Sequence, residues 1–257
     1  MKFRVVTILF VVILICLSIG CFTKGLSFFY LFIPFIIWLL LTIFGAFEIR
    51  FNYFLKAYHR GNNHSEKIIS LTFDDGPTEF TPRILAILEK NNAKATFFCI
   101  GKQIENYPEI LQITHQSGHL IGNHTFHHSS KNGFYSTEKI IDEIVSTNEL
   151  IREKINVTTK IFRPPFGVTN PHIAKALNKT QHNVIGWDIR SLDTVINDEK
   201  KLLNRITGQI KPGSIILMHD TSDKTANVLE QLFVFLQKEN YKVVPLNELL
   251  KIDVYEN

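Results

Sequence analysis

The sequence predicts an α/β protein: a parallel sheet with helical crossovers, curled into a short, irregular (β/α) barrel and preceded by a two-helix transmembrane hairpin. Three observations carry this. From Lys67 onward, strand-like and helix-like runs alternate over about 190 residues, the pattern of βαβ units. Before them, Val5 to Thr23 and Gly25 to Phe47 are uncharged and are separated only by Lys24. Reactive residues follow the apolar runs at 68–73, 119–122, 160–162 and 214–218, where open sheets and β/α barrels place their chemistry.

The two apolar stretches correspond to helices of about 28 and 34 Å, each long enough to cross a bilayer. Lys2 and Arg4 ahead of the first give it the basic start of a secretory signal, and Leu17-Ser18-Ile19-Gly20-Cys21 loosely resembles a lipoprotein cleavage box. The second apolar stretch follows at once, as a stop-transfer segment does, so a hairpin turning near Cys21 to Ser27 is the more economical reading over residues 1–50. Arg50, Lys56 and Arg60 follow it. The positive-inside rule then places both ends of the hairpin in the cytoplasm, in an integral protein of the cytoplasmic membrane. Residues after the hairpin are equally suited to anionic membrane lipid on either face, which leaves the side of the following domain open.

Residues 51–66, with Gly61-Asn62-Asn63-His64-Ser65, read as a polar linker, and 67–257 as the soluble domain. Strands are expected at 67–73, 94–100, 119–122, 161–162, 183–187, 214–218 and 242–244, and helices at 81–91, 104–117, 136–154, 171–177, 199–209, 226–238 and 246–251. A composition of 45% hydrophobic and 20% charged residues excludes a wholly disordered chain. The net charge of +4 is spread along the sequence, which argues against a nucleic-acid partner. Cys16, Cys21 and Cys99 make no pairing framework.

Four short motifs hold the chemistry. His124 and His128 are four apart, so on a helical turn both imidazoles face one side and can share a metal ion. A carboxylate from Asp74 or Asp75 completes a His₂Asp set with a fourth position open for water. Side chains diverge as a strand ends, so one of these neighbours can bind metal while the other faces the water as base. Arg163 precedes Pro164-Pro165, which stiffen the chain and make the Phe166 amide a fixed donor, and its own guanidinium is suited to orienting a carboxylate through paired N–H bonds. His219 is the candidate general acid, with Leu217 lining an apolar pocket. Asp193, if it folds against His219, raises that imidazole's pKa, while Asp220 reads as a cap of the following turn. His115, His119, His127, His172 and His182 read as structural or solvated, His127 being the first exception to look for.

These motifs, Thr72 to Pro77, His124 to His128, Arg163 to Phe166 and Leu217 to His219, resemble those of the NodB-type polysaccharide deacetylases of carbohydrate esterase family 4, over roughly residues 67–250. The resemblance implies a deformed (β/α) barrel of the NodB homology type. It also implies Asp74 as base, Asp75, His124 and His128 as metal ligands, Arg163 tethering Asp74, and His219 as acid with Asp193. Phe166, Leu217 and Trp187 would contact substrate. The implied activity is metal-dependent removal of an N-acetyl or related acyl group from an amino-sugar polysaccharide such as peptidoglycan or a chitin-like glycan. A lipid-linked amino sugar at the membrane and an O-acetyl ester are the alternative substrates, and a non-catalytic glycan-binding membrane protein is the remaining one. Zn²⁺ is the expected metal, with cobalt, nickel or manganese also suited to imidazole and carboxylate. Three positions depart from the family pattern: Arg190 and Thr194 stand where an Asp and a Trp are usual, and Phe166 where a Tyr is.

Overall fold

The computed structural model describes residues 2–62 and 65–256. Helices α1 (Lys2–Lys24) and α2 (Phe32–Phe47) form a hairpin whose turn uses Gly25 at φ 65° and a short 3₁₀ stretch, Phe28–Leu31. Together with that stretch, both are long and apolar enough to cross a membrane. Their large side chains stay exposed, Phe22 by 80% and Ile8 by 63%, the inverse of a soluble core helix. The two helices are joined by a hydrogen bond from Trp38 Nε1 to Thr7 Oγ1 at 3.2 Å and by the stack of Phe10 on Trp38.

The open base of the hairpin is built into the following domain. Phe3 N donates to Tyr53 O at 3.0 Å, and Thr169 N donates to Ala46 O at 2.9 Å. Gly45 lies so close to Tyr53 that a Cβ there would meet the ring at 2.3 Å, so only glycine admits the contact. The polar linker expected over 51–66 is therefore not a linker for most of its length. Tyr53, Phe54 and Leu55 are buried, and β1 (Ala57–Tyr58) pairs with the strand that holds Val184 and Ile185. Two residues are too few to show a strand period, and an aromatic cluster without periodicity reads as a boundary. Asn63 and His64 of the expected linker lie outside the described residues.

The domain runs β2 (Ile68–Asp74), α3 (Thr81–Lys90), β3 (Thr96–Cys99), α4 (Gly101–Asn106), α5 (Pro108–Gln116), β4 (Leu120–Asn123) and α6 (Thr137–Ile155). It continues β5 (Ile161–Phe162), α7 (Pro171–Thr180), β6 (Asn183–Ile185), β7 (Ile189–Arg190), α8 (Glu199–Thr207), β8 (Ile215–His219), α9 (Asp223–Lys238), β9 (Lys242–Val243) and α10 (Leu246–Leu250). The helix expected over 104–117 is two helices, because Pro108 supplies no backbone donor and restricts Tyr107 before it. The strand expected to reach Trp187 stops at Ile185, and β7 was not anticipated. Helix α9 begins at Asp223, capped by the Ser222 side chain rather than by Asp220.

All ladder pairings among the described residues are parallel, and the strand order is β1-β6-β5-β4-β3-β2-β8-β7, with β9 beside β2. Six strand spacings separate β6 from β7 along the sheet, about 29 Å if it were flat. Yet only residues 186–188 join them, a reach of at most about 14 Å. The sheet must therefore curl until its ends approach, which is the barrel.

Strand alternation divides the molecule. Ile69, Leu71 and Phe73 of β2, Phe97 and Cys99 of β3, and Ile216 and Met218 of β8 pack in one core cluster with Ile84 and Leu88 of α3 and Leu229 and Leu232 of α9. Their alternates point to the other face. There Ser70, Thr72 and Asp74 stand beside Leu217 and His219, with Asp74 in register with His219. Asp74 and His219 leave the C-terminal ends of β2 and β8 on that inner face, and the loops that follow the strands carry most of the other functional side chains described below.

Candidate functional site

A cavity of about 250 Å³ opens at the carboxyl ends of the strands, lined by Asp74, Asp75, His124, His128, Phe166, Gly167, Trp187, Arg190, Thr194, Leu217 and His219. Nine of the ten site residues anticipated from sequence line it or, for Arg163, hold a lining residue directly. Asp193, the tenth, stands one shell behind, against His219.

Asp74 is 3% exposed and accepts from Arg163 Nη1 at 2.6 Å. The guanidinium, fully buried, does not grip the carboxylate with paired bonds. Its remaining donors go to Thr72 Oγ1 at 2.8 Å, Ile185 O at 3.1 Å and Gly186 O at 3.0 Å, and it lies 4.1 Å from the Phe98 ring centroid. Burial pulls the Arg163 pKa down while Asp74 opposes it. One side chain thereby fixes β2, β6 and the Asp74 rotamer together.

Asp75 turns away from Asp74 through a positive φ of 75°. Its Oδ1 lies 3.5 Å from His124 Nε2 and 3.5 Å from His128 Nε2, and it is buried without a hydrogen-bond partner among the described residues. The three ligand atoms lie within 4.8 Å of one another. Bonds of 2.0–2.2 Å to a tetrahedral cation give a ligand-to-ligand edge of about 3.4 Å, so the two carboxylate-to-imidazole distances have the spacing of a metal site. An orphaned anionic oxygen facing two imidazole nitrogens is what a divalent cation would satisfy; the residues fit the group. Burial pushes the Asp75 carboxyl up, but the imidazoles of His124, His128 and His219 outweigh it and hold it well below the usual carboxylate range.

The histidines are not on a helical turn, as their spacing had suggested. Thr125 at φ 67° and His128 at φ 47° fold the chain back and bring the two rings to 4.8 Å. His124 Nδ1 donates to Arg163 O at 2.7 Å, because a carbonyl can only accept, and Nε2 is the ring nitrogen turned toward Asp75. Burial, followed by the charge of His124, lowers His128 to about 4 despite the nearby carboxylates.

Glu143 on α6 is the site residue that sequence reasoning missed. Its buried carboxylate accepts from Phe126 N at 3.1 Å, His127 N at 2.9 Å and His127 Nδ1 at 2.9 Å, clamping the loop between the two metal-facing histidines. The available signal was a charged residue in the apolar stripe Ile140, Ile144, Thr147 of a helix. His127, singled out as the exception among the remaining histidines, is Glu143's partner and not a cavity residue.

On the opposite wall, His219 Nδ1 bonds Asp193 Oδ1 at 2.7 Å. Burial alone would depress His219, but the hydrogen bond and charge of Asp193, with Asp74 and Asp75 behind them, lift it to about 9. Asp193 also receives Ser191 Oγ at 2.8 Å, His219 N at 2.7 Å and Thr225 Oγ1 at 3.0 Å. Asp220 is buried and accepts from Thr81 Oγ1 at 2.5 Å, and is not a turn cap.

Leu217 and Trp187 form the apolar floor. Trp187 is pressed against Gly167, where a φ of 71° and a Cβ that would meet the ring at 2.5 Å exclude a side chain. Phe166 adopts φ 59° and sets its ring 4.8 Å from His128. Asp75, Thr125, His128, Phe166 and Leu192 are all non-glycine residues in the left-handed region, at about 1–3 kcal/mol each. Elsewhere such residues mostly close helices, as Asn52, Asn156, Gln181 and Lys251 do. Here they bend strand ends into the cavity.

Comparison with known proteins agrees with this geometry. The model of the family described as polysaccharide deacetylase matches residues 61–185. The peptidoglycan-N-acetylmuramic acid deacetylase PdaA of Bacillus subtilis is 30% identical over 199 residues, covering 76% of this chain and 75% of that one. A crystal structure of a peptidoglycan N-acetylglucosamine deacetylase bound to an aryl hydroxamate superposes with a TM-score of 0.73 at 28% identity, over 77% of this chain and 94% of that one. A carbohydrate esterase family 4 pseudoenzyme from Bacillus anthracis superposes with a TM-score of 0.70 at 30% identity, over 76% and 68% of the two chains. With the motifs, the curled parallel barrel and these relatives in agreement, the chain belongs to the polysaccharide deacetylase family, carbohydrate esterase family 4.

Proposed function

We propose that this chain is a membrane-anchored, metal-dependent deacetylase that removes the N-acetyl group of an amino sugar in a peptidoglycan-type glycan. The observation that carries the reading is the metal-type triad of Asp75, His124 and His128, flanked by a carboxylate tied to Arg163 on one wall and an imidazole tied to Asp193 on the other. Set between an acid and a base, the triad is an arrangement suited to metal-assisted amide hydrolysis.

When bound there, a divalent cation supplies Lewis-acid polarisation of a carbonyl and a lowered pKa for water. Asp74, its rotamer fixed by Arg163, accepts the proton of the attacking water. Leu217 and Trp187 hold the acyl methyl in the apolar floor and exclude bulk water from it. His219 carries its proton on Nε2, because Nδ1 is committed to Asp193, and delivers it to the departing amine. The products are acetate and a free amino sugar. Phe166 keeps the backbone donor of its position, and its ring shields His128.

The two apolar helices support anchoring, and their hydrogen bonds to Tyr53 and Thr169 support a catalytic domain seated at the membrane surface. That seating also suits a lipid-linked amino sugar as the second reading of the substrate.

The test is acetate release from N-acetylglucosamine oligosaccharides by the full-length protein in detergent, before and after chelation and re-addition of Zn²⁺. Release that depends on added metal and is lost in Asp74→Asn supports the reading. Equal release by the chelated protein or by Asp74→Asn overturns the mechanism.

A further inference from the structure

Resting on the deacetylase reading, we infer that Arg190 is an anion-recognising subsite and that the preferred substrate carries a carboxylate or phosphate on the reacting sugar or on its immediate neighbour. Arg190 ends β7 at the rim of the cavity, and its Cα is in register with that of Leu217 on the adjacent strand. Its backbone is pinned, since Arg205 Nε donates to Arg190 O at 3.1 Å. Its guanidinium lies 5.8 Å from the Trp187 ring centroid, within cation–π range, and Trp187 is itself immobilised against Gly167.

What marks Arg190 is the state of the acids around it. Asp74 is held by Arg163, and Asp75 faces the imidazoles of His124 and His128. Asp193 accepts from His219, Ser191 and Thr225. Asp188 accepts from Ser214 Oγ at 2.9 Å and Ile215 N at 2.8 Å. Asp74, Asp188 and Asp193 have their hydrogen-bond partners and Asp75 is turned to the imidazoles, while the Arg190 side chain makes no hydrogen bond or ion pair among the described residues. An exposed, planar cation at a cavity mouth, held at its backbone and without a counter-ion among the described residues, is suited to a carboxylate or phosphate, which it can bind through two parallel N–H bonds.

The register sets the distance. Adjacent strands lie about 4.8 Å apart, so Arg190 stands one strand from Leu217 and the acyl methyl it would hold. The extended arginine side chain then reaches a substituent of the same sugar or the next one, and not a remote part of a polymer. Thr194, exposed on the same rim, leaves the approach open where a bulkier side chain would close it.

The experiment compares kcat/KM of the full-length protein on four substrates. These are a chito-oligosaccharide, an N-acetylglucosamine–N-acetylmuramic acid oligosaccharide of equal length with free carboxylate, its methyl ester, and a lipid-linked N-acetylglucosamine phosphate. In wild type the acid exceeds its ester, or the phosphate exceeds the neutral sugar, by tenfold or more. Arg190→Gln reduces that ratio toward one, Arg190→Lys retains part of it, and Arg190→Asp reverses it. Whichever anionic substrate loses its advantage in Arg190→Gln identifies the source of the anion. Ratios unchanged in Arg190→Gln overturn the inference. Absence of acetate release from every substrate overturns the deacetylase reading instead. Calorimetric binding of the same four sugars to wild type and Arg190→Gln then still decides the subsite, because equal affinity losses for acid and ester exclude it.

Discussion

Replacing Arg163 by methionine keeps much of the side-chain length and removes the charge. The change strands Asp74, which is 3% exposed and has lost a 2.6 Å partner, with His124 Nε2 at 3.7 Å from its other oxygen. Thr72 keeps its bond to Ile216 O, so it adds little, whereas the carbonyls of Ile185 and Gly186 lose a donor each. Breaking a buried pair by removing one partner costs about 3–5 kcal/mol. For a domain of this size that lowers Tm by roughly 10 °C, with about 2–4 °C expected per kcal/mol. Asp74→Asn alone strands the guanidinium and costs a comparable amount. The double variant Asp74→Asn/Arg163→Met leaves neither charge unpaired, so its loss falls short of the two single losses by about 3 kcal/mol. The assay is denaturant unfolding of the full-length protein in detergent, followed by near-ultraviolet circular dichroism, for wild type and the three variants. A single-variant cost below about 1 kcal/mol, or losses that add to within about 0.5 kcal/mol, refutes the claim that this pair organises the inner face.

Further expectations concern separate parts of the molecule. His119 is 2% exposed and accepts Ala95 N on Nδ1, and burial, joined by the charge of Lys94, lowers it to about 4. A histidine depressed in the fold stabilises it above the unfolded pKa of about 6.5, and that contribution is lost as pH falls toward about 4. Unfolding free energy should drop by up to about 3 kcal/mol over that window, and His119→Gln should flatten the profile. Glu143→Gln should weaken Zn²⁺ affinity by about 10–100-fold with the domain still folded, read by competition with a chromophoric chelator; unchanged affinity would mean the clamp on the His124–His128 loop is unnecessary. Zn²⁺ at 100 times its Kd should stabilise the wild type by about 2.7 kcal/mol and Asp75→Ala far less, as thermal shifts; equal shifts in both would place the ion elsewhere. Gly167→Ala meets both a φ of 71° and the Trp187 ring at 2.5 Å, and should cost about 1–3 kcal/mol and lower kcat more than it raises KM.

Much of the site was legible because its residues sit where strand-like runs stop. Asp74, His124, Arg163 and His219 each follow an apolar segment, and their residue types restrict the chemistry to metal and proton transfer. What was illegible depends on contacts distant in sequence. Arg163 read alone is a loop arginine, and it is fully buried because β2, β3 and β6 surround it. Glu143 lies in a helix whose stripe says only that one face is covered. The boundary at 51–66 was misplaced because β1 exists only by pairing with β6, more than 120 residues later.

The sequence by itself determined the class of this protein. Periodicity gave alternating strands and helices, two long uncharged stretches gave the helical hairpin, and the ordered motifs gave a family and its chemistry. These are local properties, written within a few residues of one another. Tertiary structure alone decided that Glu143 clamps the loop between His124 and His128, that the hairpin is fused to the domain through Tyr53 and Thr169, and that Arg190 has no counter-ion among the described residues. Hydrogen-bond partners, burial and the field at a titrating group depend on which strands become neighbours. That is fixed only when a sheet whose end strands are joined by three residues is forced to close.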